Sequence, residues 1–160
     1  MKINFRPMDV NDIDALSPIM TRAFDHDAMV NTGEATGGPP GYDDGSFLRT
    51  WGLHPDATSF CIDVNGHLAG AVILWIRADN ENRLGCIFLE PDLCNLGLGT
   101  RIWQRIEQMY PDTRVWRTDT VLTSRSNLVY YVNNCGFHIV HIDFPEETPE
   151  GSVMLQKVMA

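Results

Sequence analysis

The 160-residue sequence predicts a mixed α+β fold: one domain over residues 1–160, with about seven strands in a sheet flanked by helices. Three observations lead there. Residues 58–90 hold three apolar, strand-like runs separated only by turn residues, which reads as consecutive hairpins. Segments with apolar residues at helical spacing lie on both sides of that block. Beyond residue 110, strands and short helices alternate, so the later connections are crossovers rather than hairpins.

The elements follow in order. Residues 2–6, KINFR, read as a short strand. A helix over 8–24 has Asp9 or Asn11 at its start and Ile13, Leu16, Met20 and Phe24 near helical spacing. Pro18 removes a mid-helix hydrogen bond, so a kink or a later start is expected. Residues 25–46 carry Gly33, Gly37, Gly38, Pro39, Pro40, Gly41 and Gly45 and are expected as one long irregular loop. A short helix over 47–53 leads out of it. Strands at 58–64 and 68–76 flank Asn65-Gly66, a hairpin dipeptide, and a turn at 79–82 leads to a strand at 83–90. The next helix puts Ile102, Ile106 and Met109 on one face and stops at Tyr110-Pro111. A strand at 114–121, a short helix at 124–134 with Gly136 as its cap, a strand at 137–144, a turn at 145–151 and a final strand complete the chain.

Composition excludes several function classes. The net charge of −9 argues against nucleic acid as a partner, because phosphate binding needs clustered Lys and Arg. The acidic balance is compatible with a cationic substrate such as an amine, although solubility alone explains it equally well. No apolar run reaches the roughly 18 residues of a membrane span, and the N-terminus has no apolar signal region. Cys61, Cys86, Cys94 and Cys135 are widely spaced and form no ligand pattern, so no metal site is expected and a cytoplasmic location fits.

The stretch PDLCNLGLGT, residues 91–100, stands where a strand hands over to a helix. It lacks the Gly-Lys-Ser/Thr ending of a nucleotide P-loop. Gly97 and Gly99 match the first two glycines of a dinucleotide fingerprint and Asp119 lies suitably downstream, but Ile102 fills the third position. The glycines either let a helix start close to the sheet or open the backbone to a phosphate. Pro91 ends the strand, and residues 95–100 sit at a helix N-terminus, whose free N–H groups and dipole favour an anion. Arg101 adds positive charge.

The run Ile87-Phe88-Leu89-Glu90-Pro91 followed by Cys94-x-x-Gly97-x-Gly99 resembles motif A of the GNAT family of N-acetyltransferases. The likeness extends along the chain in element order and in the downstream Cys135-Gly136-Phe137. Cys94 departs from it, standing where that family has Gln or Arg. The resemblance implies a mostly antiparallel sheet in which one parallel strand pair splays apart to admit acetyl-CoA as cosubstrate. It places the pantetheine arm against the backbone of Ile87, Phe88 and Leu89. It places the pyrophosphate on Asn95, Leu96, Gly97, Leu98, Gly99 and Thr100, with Arg101, Asn127 and Tyr130 nearby.

The resemblance also implies direct transfer of an acetyl group to a primary amine, a small molecule or a peptide, in a ternary complex. Tyr131 matches the tyrosine that protonates the departing thiolate, yet it lies five residues before the glycine where four is usual. Glu90 and Asp119 are the candidate bases, with His26 a further one. His26 and Tyr42, in the 25–46 stretch, are candidate acceptor-binding residues. A homodimer is compatible with the family. The rival reading is a non-catalytic acyl-CoA-binding or sensory domain of the same fold, which Cys94 and the shifted tyrosine motivate. A third is an interaction module built on the 25–46 loop.

Overall fold

The computed structural model describes residues 1–144 and 150–160. The strands are β1 (Ile3–Pro7), β2 (Thr58–Val64), β3 (His67–Trp75), β4 (Glu81–Leu89), β5 (Val115–Val121), β6 (His138–Asp143) and β7 (Ser152–Val158). They form one sheet in the order β1-β2-β3-β4-β5-β7-β6. Every neighbouring pair is antiparallel except β4–β5, which is parallel. Asn65 and Gly66 both take positive φ between β2 and β3, the conformation a two-residue hairpin turn requires. The turn expected at 145–151 falls largely on residues 145–149, outside the described residues.

Helices cover both faces of the sheet. On one, α2 (Leu98–Met109) buries Leu98, Ile102, Trp103 and Ile106 against Trp116, Phe137 and the sheet. The ring centroids of Trp103 and Trp116 are 5.1 Å apart, edge to face. On the other, α1 (Ile13–Thr32) buries Ile13, Leu16, Ile19 and Met20 against Cys61, Ala71, Ile73, Cys86 and Phe88. A third helix, α3 (Arg125–Val129), passes directly into a π-helical turn, Tyr130–Asn134, on the α2 face.

Two element expectations need correction. The first helix runs through Pro18 and on to Thr32 rather than ending near residue 24. A proline inside a helix costs about 3 kcal/mol, whereas each of four apolar side chains buried on the same helix returns about 1.5–3 kcal/mol, so burial prevails. No breaker occurs until Gly33, whose φ of 75° closes the helix with its N–H donating to Met29 O at 3.0 Å. His26 therefore stands on α1 and not in a loop. The second correction is at α2, which begins at Leu98, so Leu98 to Thr100 form its first turn.

Candidate active site where two parallel strands part

The parallel pair is short. Glu81, Asn82 and Arg83 of β4 register with Val115, Trp116 and Arg117 of β5. Beyond them β4 keeps its antiparallel partner β3 through Leu89, and β5 keeps β7 through Val121. At the point of parting, Ile73 of β3 faces Cys86 and Leu74 faces Leu84, so Gly85 is an extra residue that bulges β4. A Cβ on Gly85 would meet Trp75 Nε1 at 2.6 Å, which explains the glycine. Thr118 of β5 turns its hydroxyl across the opening and donates to Leu84 O at 2.9 Å. The strands thus separate with one side-chain bridge at the vertex. The backbone of Ile87, Phe88 and Leu89 lies along the open edge, with Phe88 buried and its neighbours half-buried.

The glycine stretch sits at the mouth of this opening. Pro91–Leu93 makes a 3-10 turn, Asn95 and Gly97 take φ of 64° and 76°, and α2 follows. The first backbone bond there runs from Arg101 N–H to Gly97 O, and no side chain caps the helix. Among the described residues, the N–H groups of Leu98, Gly99 and Thr100 have no acceptor. Nothing lies within 4 Å of where a Cβ on Gly97 would point. Asn95, Leu96 and Gly97 are exposed, while Leu98 is anchored in the core. A rigid helix start with free donors and open space in front fits an anion such as a pyrophosphate. Arg101 points elsewhere, donating to Met1 O at 2.9 Å. Cys94 is exposed and its thiol makes only a 3.8 Å approach to Glu90 O, so the usual Gln or Arg side chain has no counterpart here.

The segment after β5 completes that side. Ser124 accepts from Asn127 N–H at 3.4 Å, and Asn127 donates to Thr120 Oγ1 at 3.1 Å, fixing α3 to β5. Tyr130 donates to Gly99 O at 2.9 Å, tying the π turn to the first turn of α2. A Cβ on Gly99 would press on the Tyr130 ring at 2.9 Å. The π turn accounts for the tyrosine offset. Cys135 N–H donates to Tyr130 O across five residues, which widens the helix and absorbs the extra one. Tyr131 is thereby directed into the interior, 5% exposed, with its ring against Tyr130 and Phe137. Burial raises its pKa, so the phenol keeps its proton at neutral pH.

On the α1 face the parting opens into a cleft of about 570 Å³. Phe47, Trp51 and Trp75 form its apolar walls, with Ile73, Gly85 and Cys86 at the floor and Arg77, Arg83 and Asp119 at its edge. Asp119 faces this cleft and pairs with Arg83. The Cys86 thiol is pushed up to about 12 by burial alone, so it is neutral and poorly suited to carry an acyl group. Glu90 lies at the far end of β4, where both its oxygens accept from Arg22 of α1, one at 3.1 Å. Neither His26 nor Tyr42 lines the cleft. His26 is exposed, and Tyr42 donates to Asp25 at 2.6 Å while packing edge-on against Phe24. Among the described residues no cluster of three or more His, Cys, Asp and Glu side chains is placed to hold a metal. No described helix is long and apolar enough to cross a membrane.

The sequence reading missed the cleft walls. Phe47, Trp51, Trp75, Arg77 and Arg83 come from two separated segments, and no spacing rule connects them. The one available signal was Trp75 and Arg77 two residues apart at the end of an apolar strand, which places both on one side.

Comparison with known proteins agrees with the geometry. Residues 22–137 match the acetyltransferase (GNAT) family. A stretch of 87 residues is 37% identical to the uncharacterized protein YrkN of Bacillus subtilis (strain 168), covering 54% of this chain and 47% of that protein. The chain thus spans about half the length of that relative. The ribosomal-protein-S18-alanine N-acetyltransferase of Escherichia coli superposes with a TM-score of 0.74 at 16% identity, over 99% of this chain and 96% of that one. The PaiA N-acetyltransferase of Thermoplasma acidophilum, solved with coenzyme A, gives 0.73 at 14% identity, over 99% and 100%. The seven-stranded sheet with its one parallel pair is the fold these proteins share. The chain belongs to the acetyltransferase (GNAT) family.

Proposed function

We propose that the protein is an acetyl-CoA-dependent N-acetyltransferase, acting as one domain and passing the acetyl group directly to a primary amine. The observation that carries this reading is the arrangement at the parted strands. A backbone anion site stands at one end, a protonated buried tyrosine at the vertex, and a carboxylate-edged cleft on the opposite face. The N–H groups of Asn95 to Thr100 hold the pyrophosphate of acetyl-CoA, and the open edge of Ile87 to Leu89 pairs with its pantetheine amides.

The acceptor approaches through the cleft as a neutral amine. Its nitrogen forms a bond to the thioester carbonyl carbon, and the carbon–sulfur bond breaks. Asp119 is the carboxylate that faces the cleft, and it takes the ammonium proton, directly or through water. Tyr131 donates its phenolic proton to the departing thiolate. Arg22 occupies both oxygens of Glu90, whereas Arg83 engages only Oδ1 of Asp119, which leaves Asp119 an oxygen for the proton. A neutral Cys86 thiol beside the opening supports direct attack over an acyl-cysteine route.

Calorimetric titration with acetyl-CoA tests the reading. Saturable binding in the micromolar range, with thiol release on adding a primary amine, is the expected result. No heat at high micromolar acetyl-CoA from folded protein would refute it. Binding without thiol release on any amine would favour the non-catalytic acyl-CoA-binding domain.

A further inference from the structure

The cleft on the α1 face carries information about the acceptor. Resting on the acetyltransferase reading, we infer that the acceptor is an amine on a flat apolar body that bears an anionic group, such as a carboxylate, at the end away from the amine.

Three observations support this. The first is the wall chemistry. Trp51 and Trp75 meet edge to face at 6.5 Å, His54 lies 5.1 Å from Trp75, and Phe47 completes the apolar lining. Trp51 is 45% exposed, a large apolar surface that the core does not use. Rings presented in this way fit a planar or aliphatic body rather than a thin polyamine chain.

The second is charge. Of the charged groups lining the cleft, Asp119 and Arg83 pair with each other. The guanidinium of Arg77 makes no ion pair among the described residues. The cleft therefore offers one uncompensated positive charge. The acids of α1 and the following loop do not oppose it. Asp14, Asp25, Asp27, Glu34, Asp43 and Asp44 all lie outside the lining of the cleft. The overall charge of −9 describes the whole chain, whereas the charged side chains lining the cleft are Arg77, Arg83 and Asp119.

The third is order along the strand. Ile73 lies opposite Cys86 at the parting, Trp75 opposite Arg83 at the end of β3, and Arg77 lies two residues past that end. Each pair of residues advances about 7 Å along an extended chain. The reacting amine sits beside Cys86 and Asp119, the body against Trp75 and Trp51, and the anionic group at Arg77.

The test is a matched set of acceptors with acetyl-CoA affinity measured separately by calorimetry. 4-(Aminomethyl)benzoate, its carboxamide and spermidine are compared by thiol release. The expected kcat/KM for the benzoate exceeds that of the carboxamide by about tenfold or more, as a charge-assisted contact supplies, and spermidine falls below both. In R77Q the benzoate-to-carboxamide ratio drops to near unity while acetyl-CoA affinity is unchanged. The inference is overturned by a carboxamide equal to or better than the benzoate, by spermidine as the best acceptor, by an unchanged ratio in R77Q, or by bound acetyl-CoA with no turnover of the set. A protein that does not bind acetyl-CoA fails at the earlier step, and that result removes the acetyltransferase reading itself.

Discussion

The two sides of the strand opening are built from different materials. On the α2 face the proposed chemistry is carried by backbone: N–H groups of residues 95–100, a left-handed Gly97 and an open strand edge. On the α1 face it is carried by side chains: Phe47, Trp51, Trp75, Arg77, Arg83 and Asp119. In the proposed reading, the backbone side recognises what every acetyl-CoA molecule has in common, and the side-chain side meets the amine acceptor. Substitutions on the two sides should therefore separate cosubstrate affinity from acceptor choice.

The largest effect is expected on the backbone side. Gly97→Glu brings a carboxylate to the anion site and strains a φ of 76°, so acetyl-CoA affinity should fall by about a hundredfold or more. Gly97→Ala carries the same backbone strain of about 1–2 kcal/mol without the charge, and calorimetry of the pair isolates the electrostatic part.

At the vertex, Tyr131→Phe should lower kcat by about a hundredfold with the KM for acetyl-CoA little changed, because a general acid contributes about 10²–10⁴-fold. The raised phenol pKa adds a pH expectation. A group titrating above its ordinary value of 10.0 keeps its proton throughout the neutral range. The wild-type pH–rate profile should therefore show no fall from phenol ionisation below about pH 10, its ordinary value. A basic limb near pH 8 that disappears in Tyr131→Phe would contradict the assignment.

On the side-chain side, Trp51→Ala should raise the acceptor KM by about tenfold while leaving acetyl-CoA binding intact, as loss of a large aromatic contact does. The smallest effect is expected at Glu90. Glu90→Gln removes an exposed-to-half-buried ion pair with Arg22 worth about 0–1 kcal/mol, and turnover should change by less than about threefold. A hundredfold loss there, with Asp119→Asn nearly silent, would exchange the roles of the two carboxylates.

The same division explains what could be read in the sequence. Gly97, Gly99 and Pro91 lie within ten residues, and the need for free N–H groups and left-handed backbone leaves a local signature. The hairpins were legible because Asn65-Gly66 and the apolar runs on either side of it are local too. Trp51 and Arg77 are 26 positions apart in number, and only the folded sheet brings their segments to one cleft. The extent of α1 was hidden for a third reason. Pro18 signals a break locally, and the burial of Ile13, Leu16, Ile19 and Met20 that overrides it is tertiary. Tyr131 combines both cases: its candidacy came from sequence, but its one-residue offset made sense only once the π turn was seen.

The central claim is that the anion site consists of backbone donors at residues 95–100. Amide hydrogen exchange with and without coenzyme A tests it most directly. Slowed exchange concentrated at Asn95 to Thr100, with little change at Ile73 to Arg77, is the predicted result. Tight coenzyme A binding that leaves the exchange of residues 95–100 unaltered would contradict it.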